Sequence, residues 1–493
     1  MNRYKSNIVF FHTHVYIVFG LLAVGNILLF SNIRFEEISY LSSLIFCLFS
    51  GWCVFSWYRV TNSYFDLYLL ILISTVLFNG GHFFLKIFHP DEPVILVGES
   101  PLCGYFHGSI MIQTIVFVFW GIAAMHLGAV WINCRQSKFL LIKPSNRIRQ
   151  ANFWNINRSA IKQTGYILLF ISFFPAAFWL VDAVKIAIYG GYKGFLIDDI
   201  GYGSTIRILR FFIIPGSLLL LIGSGSDLRA RWISTIIIIL YTTLFFITGD
   251  RSQSMMPLLA YLWIWHLVVR QISKKKLLIV AIFFLGFVMP FVQVVRLLEG
   301  YQGMDIHDFS HIFFQIENPF AYIIQTMGNS MGAIAHTIRL VPAIHDFSFG
   351  ETYLRGGARI LPNLFWSKHP GSNLMGGDWF LMHVSPSALL DTRRGPGYSS
   401  IAEAYYNFGT IGVPVVMFVW GVFISKLTIL AQNRSQLSHL VLAGCFAAFI
   451  LQTPRGTIAS VFRPLIWFSL IPLVMAWFVN NYYLHKRLFS RQN

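Results

Sequence analysis

Long apolar runs dominate this sequence and limit what it can fold into. Runs of about 18 or more apolar residues, enough for a helix to cross a hydrocarbon core of ~30 Å, recur along all 493 residues. The chain is 56% hydrophobic and only 12% charged, and this hydrophobic fraction is larger than the core of a soluble protein needs. The alternating segments of ~10 residues that mark outer-membrane barrels do not occur. We therefore predict an all-α polytopic membrane protein with about twelve transmembrane helices, near 14–32, 38–57, 65–87, 108–132, 164–188, 207–224, 232–248, 254–271, 277–297, 408–430, 437–453 and 462–481.

The distribution of charge predicts how these helices are oriented. The net charge is +17, and more than half of the 37 Lys and Arg fall in alternate loops and near both ends of the chain. Two of the intervening loops are acidic instead, with Asp91, Glu92 and Glu99 in one and Asp198 and Asp199 in the other. Because Lys and Arg collect on the cytoplasmic side, we predict that both termini are cytoplasmic. Orientation then explains the positive charge without a nucleic-acid partner.

Three arginines at helix ends are not explained by orientation. Arg251 lies in the turn Thr248-Gly-Asp-Arg-Ser, Arg296 ends the ninth predicted span, and Arg455 lies in the turn Thr-Pro-Arg-Gly. On this topology all three face outward. They either reach lipid headgroups and pair with acidic neighbours, or they bind a multiply charged oxyanion such as a lipid pyrophosphate, whose geometry the guanidinium matches. In the second case they would stabilise charge on a leaving group.

One long loop separates the predicted spans into two groups. We predict transmembrane helices 1–9 within 1–297, a large outer loop at 298–407 that carries much of the active site, and helices 10–12 within 408–493. A loop of this length is expected to contain its own helices and a function. The spacing of apolar residues predicts a helix over 316–340. The loop also supplies candidate substrate-binding arginines, which are Arg339, Arg355 and Arg359.

The segment from Arg393 to Gly409 is the most unusual in the chain because polar residues crowd it next to an apolar run. A carboxylate so near a bilayer is costly unless it is paired or used. Glu403 either caps or pairs with Arg393 or Arg394, or it acts as a general base on a sugar hydroxyl. The tyrosines of the segment either belong to an interfacial belt or stack on sugars; our candidates for glycan contact are Tyr398, Tyr405 and Asn407.

Motifs for other chemistry do not occur in the sequence. There is no Walker loop, no dinucleotide-binding glycine motif, no His-Glu-x-x-His and no Gly-x-Ser-x-Gly. The five cysteines are scattered and form no metal pattern. We therefore predict no cofactor and no metal, so the energy for a reaction comes with the substrate or from a gradient.

The run Tyr398-Ser-Ser-Ile-Ala-Glu403-Ala-Tyr-Tyr-Asn407-Phe-Gly409 resembles the O-antigen polysaccharide polymerases of the Wzy type. The Gly249-Asp-Arg251 turn and the single large outer loop are also similar to that family, and the similarity in layout covers most of the chain. Residue by residue, only Arg251 and the segment Glu403–Asn407 match the family pattern. Roles for Arg296, Arg339, Arg355, Arg359 and Arg455 rest on topology.

The resemblance implies a GT-C-like glycosyltransferase of the bacterial inner membrane. Such enzymes transfer a growing glycan from undecaprenyl pyrophosphate onto an undecaprenyl-pyrophosphate-linked repeat unit at the periplasmic face. It implies a lipid-linked oligosaccharide and membrane lipids as partners, together with a chain-length regulator and a flippase.

Two alternatives stay open at this point. An O-antigen ligase with the same donor and a lipid A–core acceptor predicts an essential loop histidine, His336 or His383. A flippase or other transporter predicts charges deep in several spans and a repeat relating two halves. The sequence has few such charges (Asp182, Lys185 and Arg210) and one lopsided loop, which disfavours a transporter.

Overall fold

A computed structural model describes residues 2–31, 33–88, 108–142, 156–197, 204–298, 318–361, 376–384, 397–432 and 436–489, with a few short pieces between 311 and 386. All regular elements in these ranges are helical. The principal helices are Asn2–Phe30, Phe35–Thr61, Leu67–Phe88, Gly108–Ile142, Arg158–Ile197, Ser204–Leu209, Ile213–Ser224, Leu228–Ile247, Arg251–Val268, Lys274–Phe283, Met289–Leu297, Pro319–Gly328, Ser330–Leu340, Glu351–Ala358, Gly377–Val384, Ser400–Gln432, Leu437–Ile450 and Ile471–Phe489.

The predicted fold class is confirmed, since the protein is an all-α, multi-pass membrane protein. Within the described ranges, 11 helices are long and apolar enough to cross a membrane. The predicted span at 254–271 is not among them. It forms the helix Arg251–Val268, whose polar residues, including Gln253 and His266, lower its hydropathy.

Two differences from the sequence-based expectation concern the large loop and the helix that follows it. The predicted helix over 316–340 consists of two helices, Pro319–Gly328 and Ser330–Leu340, which are separated at Asn329. The helix of the tenth predicted span begins at Ser400, whereas the predicted span begins at 408. The polar residues in Ser400–Phe408 lower the hydropathy of this part of the helix, so the sequence pattern does not predict it as part of the span. Gly409, with φ +64°, interrupts the helix between Ser400–Phe408 and the apolar part that follows.

Packing groups the chain into two compact units. Unit 1 comprises 1–146, 321–429 and 453–461, and unit 2 comprises 147–320, 430–452 and 462–493. Helices of the large loop therefore pack with the first four spans in unit 1. The ninth span, with Arg296, packs in unit 2.

Glycines bring two long helices of unit 1 into backbone contact. A Cβ on Gly128 would lie 2.2 Å from the carbonyl oxygen of Phe418, and one on Gly421 would lie 1.9 Å from that of Met125. Small residues allow such close approach between membrane helices, where dispersion contacts replace the hydrophobic effect as the attraction. The helix that begins at Ser400 is thereby fixed against the helix Gly108–Ile142.

We expect Gly421→Ala to destabilise the protein, because the new methyl group collides with the Met125 carbonyl. The helices must separate, at a cost of about 1–3 kcal/mol. Thermal melting in detergent, followed by size-exclusion chromatography, measures the effect. Gly51→Ala is the matched control, since nothing lies within 4 Å of a Cβ there. Equal melting temperatures for the two variants would contradict the close packing.

Buried polar side chains link the first four spans. The imidazole of His126 contacts Ser56 Oγ at 2.7 Å and Tyr68 Oη at 3.0 Å. Its ring lies 4.6 Å from that of His14, which bonds the carbonyl of Ala123 at 3.0 Å. Buried polar groups in a membrane protein must find such partners. This cluster therefore joins four helices by specific hydrogen bonds.

In unit 2, glycines seat the helix Ile213–Ser224 against the helix Arg158–Ile197. A Cβ on Gly165 would lie 2.8 Å from the Leu220 backbone nitrogen, and one on Gly223 would lie 2.5 Å from that of Lys162. At the end of this helix pair, Lys162 Nζ and Asp227 Oδ2 form an ion pair at 2.8 Å. Asp227 also caps the helix Leu228–Ile247 by accepting from Ala230 N.

Candidate functional site

The motif of residues 398–409 identified in the sequence forms a capped helical segment in unit 1. Gly397 has φ +100°, a value that favours glycine, and Ser399 then caps the helix by accepting from the backbone nitrogens of Ile401 and Ala402 at 3.1 and 3.4 Å. The segment ends at the Gly409 break. The helical segment Ser400–Phe408, which we call the motif helix, is therefore delimited by a cap at one end and a glycine at the other.

Glu403 lies at the centre of this segment and is fully buried. Its Oε1 accepts from Thr352 Oγ1 at 3.3 Å, and its Oε2 accepts from the backbone N–H of Ile458 at 2.5 Å. One side chain therefore connects the large loop, the motif helix and the turn after Ile450. The prediction that it pairs with Arg393 or Arg394 concerns residues outside the described ranges.

Asn407 extends the same network. Its Nδ2 donates to Thr352 Oγ1 at 2.7 Å and to the Glu403 carbonyl at 2.8 Å, and its Oδ1 accepts from Gly350 N at 3.0 Å. Gly350 has φ +91° and precedes the helix Glu351–Ala358. Asn407 is fully buried, so its contacts orient this loop helix on the motif helix.

The turn that carries Arg455 is held by the same segment. Tyr398 N donates to the Arg455 carbonyl at 3.0 Å, and a Cβ on Gly397 would lie 2.6 Å from Arg455 Cγ. On the other side, a Cβ on Gly356 would lie 2.7 Å from the Ala459 carbonyl oxygen. We call residues 453–461 the Arg455 turn. Its backbone is fixed through Tyr398 and Glu403.

Asn79 is a contributor that the sequence analysis missed. It is fully buried in the span Leu67–Phe88, where its Nδ2 donates to the Pro454 carbonyl at 3.1 Å. Its Oδ1 accepts from Ser399 Oγ at 2.6 Å, the same hydroxyl that caps the motif helix. The polar run Asn79-Gly-Gly-His82 inside an otherwise apolar span was the available signal.

We expect Asn79→Leu to loosen the Arg455 turn and to lower the melting temperature. The change leaves the Pro454 carbonyl and the Ser399 hydroxyl buried without their partner, at about 1–3 kcal/mol for each unsatisfied group. Thermal unfolding of the purified protein measures the loss. Ser74→Ala, which removes only a bond to Leu70 O in the same helix, is the control. A wild-type melting temperature for Asn79→Leu would contradict the bracing role.

The two candidate tyrosines for glycan contact are buried. Tyr398 is 2% exposed, and its ring packs 5.7 Å from that of Phe380. Burial raises the pKa of the Tyr398 phenol well above its usual range. Tyr405 is 6% exposed and donates to the Val341 carbonyl at 3.0 Å. Both rings are packing residues in this structure, which argues against direct contact with a glycan.

The candidate arginines of the large loop each contact a different nearby partner. Arg355 pairs with Glu351 one helical turn earlier, and Arg359 Nε donates to the Gly371 carbonyl at 2.7 Å. Arg339, three residues after His336 in the helix Ser330–Leu340, is close enough to act on it electrostatically. Burial, with a further contribution from Arg339, lowers the pKa of His336 to about 3, so this imidazole is neutral at pH 7.

Unit 2 holds the other two candidate arginines in one place. Arg251 donates to Gln293 Oε1, and Arg296, one helical turn after Gln293, donates to Tyr192 Oη at 3.0 Å. The Arg296 guanidinium also lies 4.4 Å from the centre of the Tyr192 ring, a cation–π distance. Gln293 and Tyr192 were not found by sequence analysis.

The Gly-x-Arg turn has a structural explanation. Gly249 has φ +79°, and a Cβ there would lie 2.8 Å from Tyr192 Cδ2 and 3.0 Å from Arg296 Cγ. Asp250 then caps the helix that starts at Arg251 by accepting from the Ser252 and Gln253 nitrogens. The turn therefore packs Gly249 against Arg296 two residues before Arg251, whose own partner, Gln293, lies one helical turn before Arg296.

A family model described as O-antigen polysaccharide polymerase Wzy matches residues 10–487 of the chain. The chain belongs to this family.

Protein CapE of Staphylococcus aureus is similar to this Wzy family member, with 27% identity over 208 residues. The match covers 41% of this chain and 42% of CapE, so the chain spans less than half the length of this curated relative. No solved structure matches the chain. Among the described residues of the Wzy protein, no group of three His, Cys, Asp or Glu is placed to hold a metal ion.

Proposed function

We propose that this protein is an O-antigen polymerase. It transfers a growing glycan from undecaprenyl pyrophosphate onto the terminal sugar of an undecaprenyl-pyrophosphate-linked repeat unit. The reaction takes place at the periplasmic face of the bacterial inner membrane, with both termini cytoplasmic. The family match over 10–487 carries this proposal. A chain-length regulator and a flippase are proposed as partners.

Arg251 and Arg296 are proposed to bind the donor pyrophosphate. Gln293 accepts from the first guanidinium and Tyr192 from the second, and neither of these two partners is charged. Preorganised donors aimed at a leaving group supply a large part of catalysis. Arg455, Arg339, Arg355 and Arg359 are proposed to contact phosphate or glycan. Among these, Arg455 lies on the turn that Glu403 anchors.

The role of Glu403 has two versions within this proposal. As a general base it would take the proton of the acceptor hydroxyl, which requires that hydroxyl within about 2.6–3.2 Å of the carboxylate. Enclosure of the carboxylate and its bonds to Thr352 and Ile458 favour the other version, in which Glu403 anchors the Arg455 turn. The general-base role stays a prediction, and the variants that separate the two versions are described in the Discussion.

An in-vitro assay tests the function directly. Purified protein is mixed with an undecaprenyl-pyrophosphate-linked repeat unit, and the products are separated by length. A ladder of glycan lengths supports polymerisation. Transfer of one glycan to lipid A–core without a ladder would favour the ligase, and essential His336 or His383 would support it. Translocation of the intact lipid-linked repeat unit across the vesicle membrane, with no glycan product formed, would overturn the enzyme proposal.

A further inference from the structure

Tyr406 differs from the other two tyrosines of the motif helix. Tyr398 and Tyr405 are buried, whereas Tyr406 is half-buried. Its ring stacks on that of Trp379, with centres 4.4 Å apart and planes 22° apart. Tyr406 is three residues after Glu403, so it lies within one helical turn of that carboxylate. The tyrosine that reaches the surface of the motif helix is therefore the one left out of our candidates for glycan contact, which were Tyr398, Tyr405 and Asn407.

Two histidines complete a cluster around this stacked pair. The His383 ring lies 4.9 Å from Trp379 and 4.2 Å from His345. His383 Nδ1 bonds the Trp379 carbonyl at 2.8 Å, which fixes the ring and turns Nε2 away from the helix. Both imidazoles are half-buried, so each keeps part of its surface accessible. We call His345, Trp379, His383 and Tyr406 the aromatic cluster.

Backbone hydrogen bonds hold part of the aromatic cluster in place. Ser348 N donates to the Tyr406 carbonyl at 2.9 Å, and His345 N donates to the Leu340 carbonyl at 2.9 Å, so the turn with His345 is tied to both neighbouring helices. Trp379 and His383 share the helix Gly377–Val384. The four rings come from three chain segments, two of which are joined by the backbone bond from Ser348 to Tyr406, while the third contacts them through its rings. A ligand would meet a formed surface, and ordering it would cost little.

Charge around the cluster indicates the class of ligand. The charged side chains near it are the exposed carboxylates Asp346 and Asp378 and the Arg355–Glu351 ion pair beside Tyr406, whose two charges offset each other. Burial, and then the nearby His383, lower the pKa of His345 against the opposing effect of Asp346, which favours the neutral form of this imidazole. The surroundings are therefore neutral to acidic, which disfavours a phosphate. Aromatic faces with a few placed polar groups are typical of small-molecule sites. Ring faces pack against the C–H face of a sugar, and imidazole and phenol groups exchange hydrogen bonds with its hydroxyls.

We propose that the aromatic cluster is a binding subsite for an uncharged sugar ring of the repeat unit. The proposal rests on the proposed function for the presence of a glycan substrate. It assigns recognition of the glycan to Tyr406, His345 and His383, with the buried Trp379 supporting the Tyr406 ring, rather than to Tyr398 and Tyr405. Pyrophosphate recognition is left to the arginines.

Binding of the free oligosaccharide, released from its lipid, tests the subsite without turnover. The full-length protein in nanodiscs is titrated with this oligosaccharide, in wild-type form and as Tyr406→Leu, His383→Gln and Tyr406→Phe. We expect Tyr406→Leu and His383→Gln to weaken binding by about tenfold, a loss of about 1.4 kcal/mol, and Tyr406→Phe to retain most of it. Binding is expected to be nearly the same at low and high salt, because no phosphate contact is involved.

Phe408→Leu is the matched control, since Phe408 is an exposed aromatic residue on the same helix and stacks on Tyr353 outside the cluster. In the polymerisation assay, Tyr406→Leu is expected to raise the KM for the repeat unit more than it lowers kcat. Wild-type binding by a folded Tyr406→Leu variant, or an equal loss in Phe408→Leu, overturns the subsite. Loss of oligosaccharide binding in Tyr406→Leu without a ladder from wild type overturns the proposed function and leaves the subsite standing.

Discussion

Glu403→Ala is expected to abolish the glycan ladder and to lower the melting temperature, whereas Glu403→Gln is expected to keep ladder formation within about tenfold of wild type. Alanine leaves the Ile458 N–H and the Thr352 hydroxyl buried without their acceptor. Each such group costs about 1–3 kcal/mol, and the vacated space adds a cavity penalty. The Arg455 turn then loses its attachment to the motif helix.

Glutamine can keep both contacts because it has the same shape. Its amide oxygen accepts from Ile458 N, and its amide nitrogen donates to Thr352 Oγ1, a hydroxyl with two acceptor sites. Only the negative charge and the basicity are removed. Glu403→Gln therefore distinguishes a role of Glu403 in anchoring the Arg455 turn from a role as general base.

The measurement combines the ladder assay with thermal melting of each purified variant. Thr352→Val is a useful companion, since it removes one hydrogen bond to Glu403 and one to Asn407 but retains the carboxylate. A Glu403→Gln variant that melts like wild type but loses about 100-fold or more in rate would support the general base instead, because proton transfer contributes about that much.

Arg251→Ala is expected to reduce the initial rate of ladder formation by about 100-fold or more with little change in melting temperature. The guanidinium donates to Gln293, one helical turn before Arg296, and is proposed to stabilise the departing pyrophosphate; loss of one such donor typically costs about 10²–10³ in rate. Arg251→Lys is expected to recover only part of the activity, because an ammonium group lacks the planar fork.

Arg229→Ala is the control for this experiment. Arg229 is an exposed arginine of the same unit, and its predicted contribution is to membrane orientation alone. A normal ladder from Arg251→Ala, or an equal loss in Arg229→Ala, would remove Arg251 from the site. Rates at several salt concentrations add a check, since a pyrophosphate contact weakens as salt rises.

Much of the fold was predictable because long apolar runs have few alternatives in a membrane. The misplaced boundaries occur where polar residues enter helices. Ser400–Phe408 is helical although it carries Glu403 and Asn407, because tertiary hydrogen bonds to Thr352 and Ile458 offset their burial. The predicted span at 254–271 is a different case. Its helix, Arg251–Val268, forms, but its polar residues make its mean hydropathy too low for it to count among the 11 candidate membrane-spanning helices.

The local features of the site were also readable from the sequence. Gly397, Gly409 and the Gly249 turn occur where the backbone takes positive φ. The partners of the polar residues were not readable, because they are distant in the chain. Ile458 lies 55 residues from Glu403, Tyr192 lies 104 residues from Arg296, and Pro454 lies 375 residues from Asn79. No pattern within a window of sequence contains these pairings.

The histidine cluster of the first four spans has a consequence for how the protein is made. His126 is synthesised 70 residues after Ser56 and 58 residues after Tyr68, the two hydroxyls that it bonds. Chains emerge from the ribosome N-terminus first, so the second and third spans leave the ribosome before their partner exists. Lipid offers no replacement for these bonds. The first three spans should therefore linger at the insertion machinery until the fourth arrives, and the four should enter the bilayer as one group.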